Sequence, residues 1–327
     1  MTKAEYEHQY VLARKTWPYI TRQALSAIIA AYEKAIEETQ AILLSKIWNG
    51  AMTFEAGLKA SIDSQLTQAL SEIAKITEEE TLKSIRRGYK TLAVIDARYM
   101  LEAIKQADAT TLFSETGIKN IFIKIDRDLI VATTQRGMQD GYTFSGRVWK
   151  STQSFKPDTL NIINAGFAQG LPKEKIARAL TDYLKDGKVG VAKRYGKLTP
   201  ESAAYMRRVG KDVDWRALRL VRSEYGASLQ QVAVQKAYAN FGASGVMEWI
   251  RISGAAHQDV CATYAARRYF KVSEVPGYPH PNCLCIVRSV MEKLPDTLSQ
   301  LRAYVRGDLQ AAPRITAWAN TYYKPAA

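Results

Sequence analysis

Residues that carry most enzyme chemistry are scarce in this sequence, which has 3 cysteines and 3 histidines in 327 residues. An odd number of cysteines, two of them in a C-x-C pair, excludes an ordinary secreted disulfide framework and points to a reducing compartment. The N-terminal part has no apolar run of the ~20 residues that a membrane-spanning helix needs. Met1 to Tyr10 carries Lys3, Glu5, Glu7 and His8 where a signal peptide has a basic start and an apolar block. The sequence therefore predicts a soluble chain with no signal peptide and no membrane partner. Acidic residues are also in deficit, 32 against 46 basic ones, for a formal charge of +14. Residues 1–110 contain no paired carboxylates, no nucleophile motif and no glycine-rich phosphate loop, so nothing in them points to catalysis.

What is present is a globular composition, 47% hydrophobic and 24% charged, with enough chain for a sizeable core and roughly two domains. The positive charge is concentrated in the second half. Residues 1–150 hold 20 basic and 18 acidic side chains, and residues 151–327 hold 26 and 14. A surface of that sign attracts phosphate by releasing condensed counterions. Its densest part, residues 186–213, has four glycines and seven Lys/Arg against three acids, and reads as a basic loop or insertion. Lys188, Lys193, Arg194, Lys197, Arg207, Arg208 and Lys211 are the candidate DNA-binding residues, touching phosphates and not reading bases. Tyr195 and Tyr205 flank the two basic tracts and could stack on bases. A solvated loop is the alternative.

Apolar periodicity makes the chain mainly α. From Pro18, residues Ile20, Leu25, Ile28, Ile29, Tyr32, Ile36 and Leu43 keep one stripe apolar, and Asn49-Gly50 is the predicted end. A second helix is expected from after Thr53 to about Lys75. A third is expected from Thr77, where Thr77 and Glu80 match a capping box. Three long helices on short connections predict an antiparallel bundle. In the connector, residues 111–144, IFIKI alternates like a strand, but the stretch after it favours a helix ending at Gly137 or Gly141. Ser145–Trp149 reads as a turn followed by a buried apolar pair. Helices over Asp158–Gln169 and Pro172–Leu184 flank Gly170; they have a helix-turn-helix outline, but no side chains stand out at groove-reading spacing. A long helix is expected from Asp214, as N-cap, to Gly242. Arg222 and Glu224 fall on different faces of it, so each should pair elsewhere, for instance with the loop that follows. Val246–Ile252 and Ile286–Val290 alternate as strands that could pair. A helix over Thr297–Val305 and a loose Ala/Pro tail complete the chain.

All three cysteines, Cys261, Cys283 and Cys285, and two of the histidines, His257 and His280, fall between Trp249 and Val290. The features run in a fixed order: Arg-Ser-Glu on a long helix, a tryptophan strand, His257-x-Asp259-x-Cys261, then Pro279-His280-Pro281-Asn282-Cys283-Leu284-Cys285 and a short strand. This order resembles the phage Mu F-like minor head proteins, also called phage head morphogenesis proteins. The similarity covers about residues 145–291, includes the GLPKEKIARAL helix, and is most specific at PHPNCLC. The expected organisation is a long-helix region (1–110), a connector (111–144), the Mu F-like module with its basic insertion (145–291), and a C-terminal helix and tail (292–327). The expected fold is mainly α with a small α+β C-terminal module, a short β-sheet around a Cys/His loop.

The resemblance implies a structural virion component and not an enzyme. Such proteins are made alongside the portal protein and enter the procapsid in few copies. They associate with the portal, the major capsid protein or other head proteins, and in some phages bind the viral double-stranded DNA and influence packaging or ejection. The expected location is the virion, in the head interior or at the portal vertex, after assembly in the host cytoplasm. Many relatives carry C-x-x-C upstream, whereas here Tyr264 stands at that spacing after Cys261. With Cys261, His280, Cys283 and Cys285, or with His257 in place of one of them, four ligands remain available, and Cys₃His is an accepted zinc set. The alternative is a compact loop in which small buried thiols and prolines fix the backbone. A reading from another class is a metal-dependent nuclease or other DNA-acting enzyme, with His257, Asp259, His280 and Asn282 around a metal. Thiolate-rich sets are more often closed structural centres, which favours the first reading.

Overall fold

Three- and four-residue spacing of apolar side chains dominates the chain, and helices follow from it. The computed structural model describes residues 1–45, 56–136, 141–195, 213–251, 260–280, 283 and 285–323. It begins with α1 (Lys3–Lys15), started by a reciprocal cap between Thr2 and Glu5, and α2 (Trp17–Ser45), with Pro18 in its first turn where a missing N–H costs nothing. Next comes α3 (Ala56–Gln106), 51 residues and about 75 Å long at 1.5 Å per residue. The second and third helices expected from the sequence are thus one. Thr77 does not cap a helix; it is buried in mid-helix and its hydroxyl donates to the Ile73 carbonyl at 2.7 Å. That bond satisfies the hydroxyl without ending the helix. The expected end at Asn49-Gly50 lies outside the described residues.

IFIKI belongs to α4 (Glu115–Gln135), capped by Ser114, and Ile118, Ile121, Phe122 and Leu129 form its buried stripe. Ser145–Trp149 is not a turn. It sits inside α5 (Phe144–Thr152), whose N-cap Thr143 accepts from the Gly146 amide; Val148 is buried while Trp149 is 43% exposed. α6 (Phe155–Ala168) and α7 (Lys173–Tyr195) turn at Gly170, which has φ +64, a left-handed value suited to glycine. α7 runs eleven residues past the expected Leu184, so the first part of the basic stretch is helix and not loop. α8 (Val213–Ala239) follows, with Asp214 in its first turn instead of at its cap.

Then come β1 (Ala243–Ile250), α9 (Val260–Arg267), β2 (Tyr269–Lys271), a 3₁₀ turn (Val272–Glu274) and β3 (Ile286–Met291). α10 (Leu294–Val305) and α11 (Pro313–Tyr322) end the chain. The loose tail expected after Val305 is therefore corrected: α11 buries Ile315 and Trp318, and the Trp318 indole donates to the Ala239 carbonyl at 2.7 Å. The three strands form one antiparallel sheet in the order β2-β1-β3. The chain is thus mainly α with a small sheet near its C-terminus, and a cysteine cluster lies beside that sheet.

Two compact units are interleaved along the chain. One comprises Thr21–Thr81 and Gly137–Val221. Its core joins Ile28, Ile36 and Leu66 to Phe155, Ile163 and Leu180. Gly166 lets Ile176 approach the α6 backbone closely, since a β-carbon there would lie 2.5 Å from Ile176 Cγ1.

The other comprises Met1–Ile20, Leu82–Arg136 and Arg222–Ala327. Its aromatic core includes Tyr6, Tyr89, Tyr99 and Tyr225, and a second cluster sets Phe113 and Trp318 together. Under the sheet, Met247, Trp249, Phe270 and Val287 pack with Ala233 and Ala237 of α8. A polar knot is also buried in this unit. Asp96 accepts from Tyr6 (2.7 Å), Tyr10 (3.0 Å) and Asn240 (3.0 Å), while Lys236, with 0% of its surface exposed, pairs with Asp126 at 2.8 Å and donates to the Tyr89 carbonyl at 2.7 Å.

Candidate metal centre

The three cysteines reach one place from two directions. α9 carries Cys261 in its first turn, buried, and the approach to β3 brings Cys283 and Cys285. Their sulfurs all lie within 4.8 Å of one another, with Cys261 Sγ and Cys283 Sγ 3.5 Å apart. His280 joins through Cys261, its Nε2 being 3.1 Å from that sulfur. A tight turn places it, because the Cys283 amide donates to the His280 carbonyl at 3.2 Å. The three sulfurs are close enough to bind one metal ion. In a tetrahedral zinc centre with Zn–S of about 2.3 Å the ligand atoms stand about 3.7 Å apart, a spacing this cluster approaches.

The thiols are chemically unequal. Hydrogen bonding from Cys283, more than the opposing burial, holds the Cys285 thiol down to about 6, with help from Cys261 and Trp249. Cys283 is pushed well up, first by that same bond and then by burial. The Cys285 amide also donates to the Cys283 sulfur at 3.4 Å.

α8 holds the loop from its back. Tyr278 lies against Gly226 and donates its hydroxyl to the Cys283 carbonyl at 3.0 Å, and Gln230 Nε2 donates to the Pro276 carbonyl. Trp249 of β1 packs edge-on against Tyr264, one turn after Cys261, with ring centroids 4.9 Å apart. The other face of the sheet carries charge. Glu248 is buried between Arg288, its cross-strand neighbour (2.7 Å), and Arg268 (2.7 Å). Arg288 also pairs with Glu7 of α1 at 3.2 Å.

Cys261, Cys283 and Cys285 thus come together, while His280 touches Cys261 without falling within 4.8 Å of all three sulfurs. His257, Asp259 and Asn282, needed by the nuclease reading, lie outside the described residues. So do Lys197, Arg207, Arg208 and Lys211. Lys188, Lys193 and Arg194 are on the backbone of α7. Glu224 pairs with Arg136, at the end of α4, at 3.2 Å. Sequence reasoning missed Gly226 and Tyr278. The signal was there, since a glycine inside a helical pattern marks a close approach by something else. No protein-family model, curated protein or solved structure matches the chain, and no helix among the described residues is long and apolar enough to cross a membrane.

Proposed function

We propose that this chain is a phage minor head protein, a structural virion component that associates with the portal or inner capsid, contacts the viral DNA and assists packaging or ejection. One observation carries the reading. The sequence features that resemble that family are far apart in the chain, yet the glycine of the Arg-Ser-Glu helix (Gly226), the tryptophan strand (Trp249), Cys261 and the His280–Cys285 turn meet around one centre. Mass spectrometry of purified virions and procapsids of the encoding phage tests it: the chain is expected in both, at a few copies per portal. Its absence from both particles would overturn the reading.

At the centre the donor set fits zinc. Cys261, Cys283, Cys285 and His280 would hold it in a closed structural site, joining α9 to the strand that follows Cys285. Metal analysis of the purified chain is expected to give about one zinc per molecule. The basic side chains of α7 and the stretch after it would meet DNA phosphates, adding affinity without sequence preference.

A further inference from the structure

The thiol centre and the N-terminal helix share a small cavity. Tyr10, Arg14 and Trp17 line it together with Gly226, Gln230 and Cys285. Arg14 is buried, with its guanidinium carbon 3.3 Å from the centroid of the Trp17 ring. α1 therefore delivers a fixed cation to a wall that Cys285 also forms. Further contacts tie α1 down: Tyr6 and Tyr10 to Asp96 of α3, and Glu7 to Arg288 of β3, the strand that leads out of the centre.

Three thiolates and a neutral imidazole around Zn²⁺ leave one net negative charge. Away from water such a charge needs cations or N–H donors in the surrounding shell, and those partners tune metal affinity. Two candidates stand beside Cys285. One is Arg14. The other is Trp249 Nε1, which has no hydrogen-bond partner among the described residues and is buried in the cluster against which Cys285 packs.

We propose that Arg14 and Trp249 are positioning residues of the thiol centre, and that Arg14 couples metal occupancy to the docking of α1, so that loading the centre holds the N-terminal helix down and emptying it loosens that helix. The coupling rests on the zinc reading of the centre. It is reciprocal: whatever factor α1 docking adds to zinc affinity, zinc adds to α1 docking.

The test uses the full chain and zinc ion, with affinity measured by competition against a chromophoric chelator and hydrogen exchange followed at the amides of residues 3–15. In the wild type, α1 amides are expected to exchange roughly tenfold more slowly with zinc than after its removal, matching a coupling of that size. Arg14→Gln is expected to weaken zinc binding by about ten- to a hundredfold and to abolish the zinc-dependent difference in α1. Arg14→Lys keeps the charge and is expected to restore part of both. Trp249→Phe removes the N–H and keeps most of the ring; it is expected to weaken zinc binding while leaving the α1 response in place. If Arg14→Gln fails to fold, the wild-type exchange difference decides alone. A wild type that takes up no zinc overturns the zinc reading and this coupling with it. A wild type that binds zinc with unchanged α1 exchange, or an Arg14→Gln chain that binds it equally well, overturns the coupling only.

Discussion

Tyr278 occupies the space that a side chain at position 226 would need: a β-carbon on Gly226 would lie 2.7 Å from the Tyr278 hydroxyl oxygen and 2.8 Å from its Cε2. A loop residue and a helix residue, 52 positions apart, are fitted to each other, and the tyrosine then holds the Cys283 carbonyl. Gly226→Ala should therefore destabilise the chain by about 1–3 kcal/mol, the usual cost of overpacking. Tyr278→Phe, which loses only the hydrogen bond, should cost about 1 kcal/mol. Urea unfolding measures both. A Gly226→Ala midpoint equal to wild type would show that Tyr278 moves aside freely.

On the proposed zinc reading, removing the metal should lower thermal stability, because metal that binds only the folded chain contributes its binding free energy to folding. The expected result is a fall of several degrees in Tm on adding a strong chelator, about 1–2 °C for each kcal/mol lost in a chain of this size. Cys283→Ser should show the lowered Tm from the start and no further response to chelator.

Glu248 gives a pH prediction. Burial acts to raise its carboxyl, but hydrogen bonds from Arg288 and Arg268 outweigh that and hold it below the usual carboxylate range. A depressed folded value means that the folded chain binds fewer protons than the unfolded one in the acid range. The stabilisation is therefore complete above the unfolded value of about 4.3 and is lost as pH falls through the folded value. Glu248→Gln should cost about 1–3 kcal/mol at pH 7, as charged hydrogen bonds do. Below about pH 4 its stability and that of wild type should converge. A gap that stays constant down to pH 3 would exclude the ion pairs as its source.

Lys236 is enclosed with Asp126 and lies near Asp96, whose carboxyl burial pushes up although Lys236 pulls it down. Lys236→Met leaves those carboxylates without their cation, and breaking a buried pair from one side costs about 3–5 kcal/mol. Lys236→Met combined with Asp126→Asn should recover part of that loss. Guanidinium unfolding of the three variants checks it, and equal stabilities for the single and double variants would mean that Asp126 is already relieved by solvent.

DNA contact is tested through salt. If the basic stretch neutralises phosphates, log affinity should fall linearly with log salt, and each lost contact should reduce the slope by about 0.9. Replacing Lys193, Arg194 and Lys197 together with Gln should lower the slope by up to about 3 and weaken binding equally for all sequences. No binding at low salt by the wild type would remove DNA from the proposed function.

The helical fold and the pairing of two strands around the cysteines were legible because both rest on local spacing. IFIKI alternates like a strand, yet the helix favoured by the stretch after it extends back through it as α4, and Trp249 and Val287 are direct partners across β1 and β3. Boundaries were less legible. Thr77-Glu-Glu-Glu has the composition of a helix start, but tertiary packing buries Thr77 on a helix already running, and its hydroxyl turns inward. α11 was missed because Ala and Pro dominate its neighbourhood, while the burial that makes it fold comes from Trp318 meeting Phe241 and Phe113, contacts far away in sequence. At the site, the cysteines were visible as a cluster of residue types. Arg14 was not, since nothing in the sequence says that a residue of the first helix lines a cavity with one some 270 positions later.

The sheet ends at β2, three residues long, with Lys271 facing outward and an immediate 3₁₀ turn after it. Such a border offers too little free backbone for a foreign strand to join, and the ammonium group discourages a neighbour from trying. Molecules of this chain can therefore be crowded together without this border seeding cross-β aggregation.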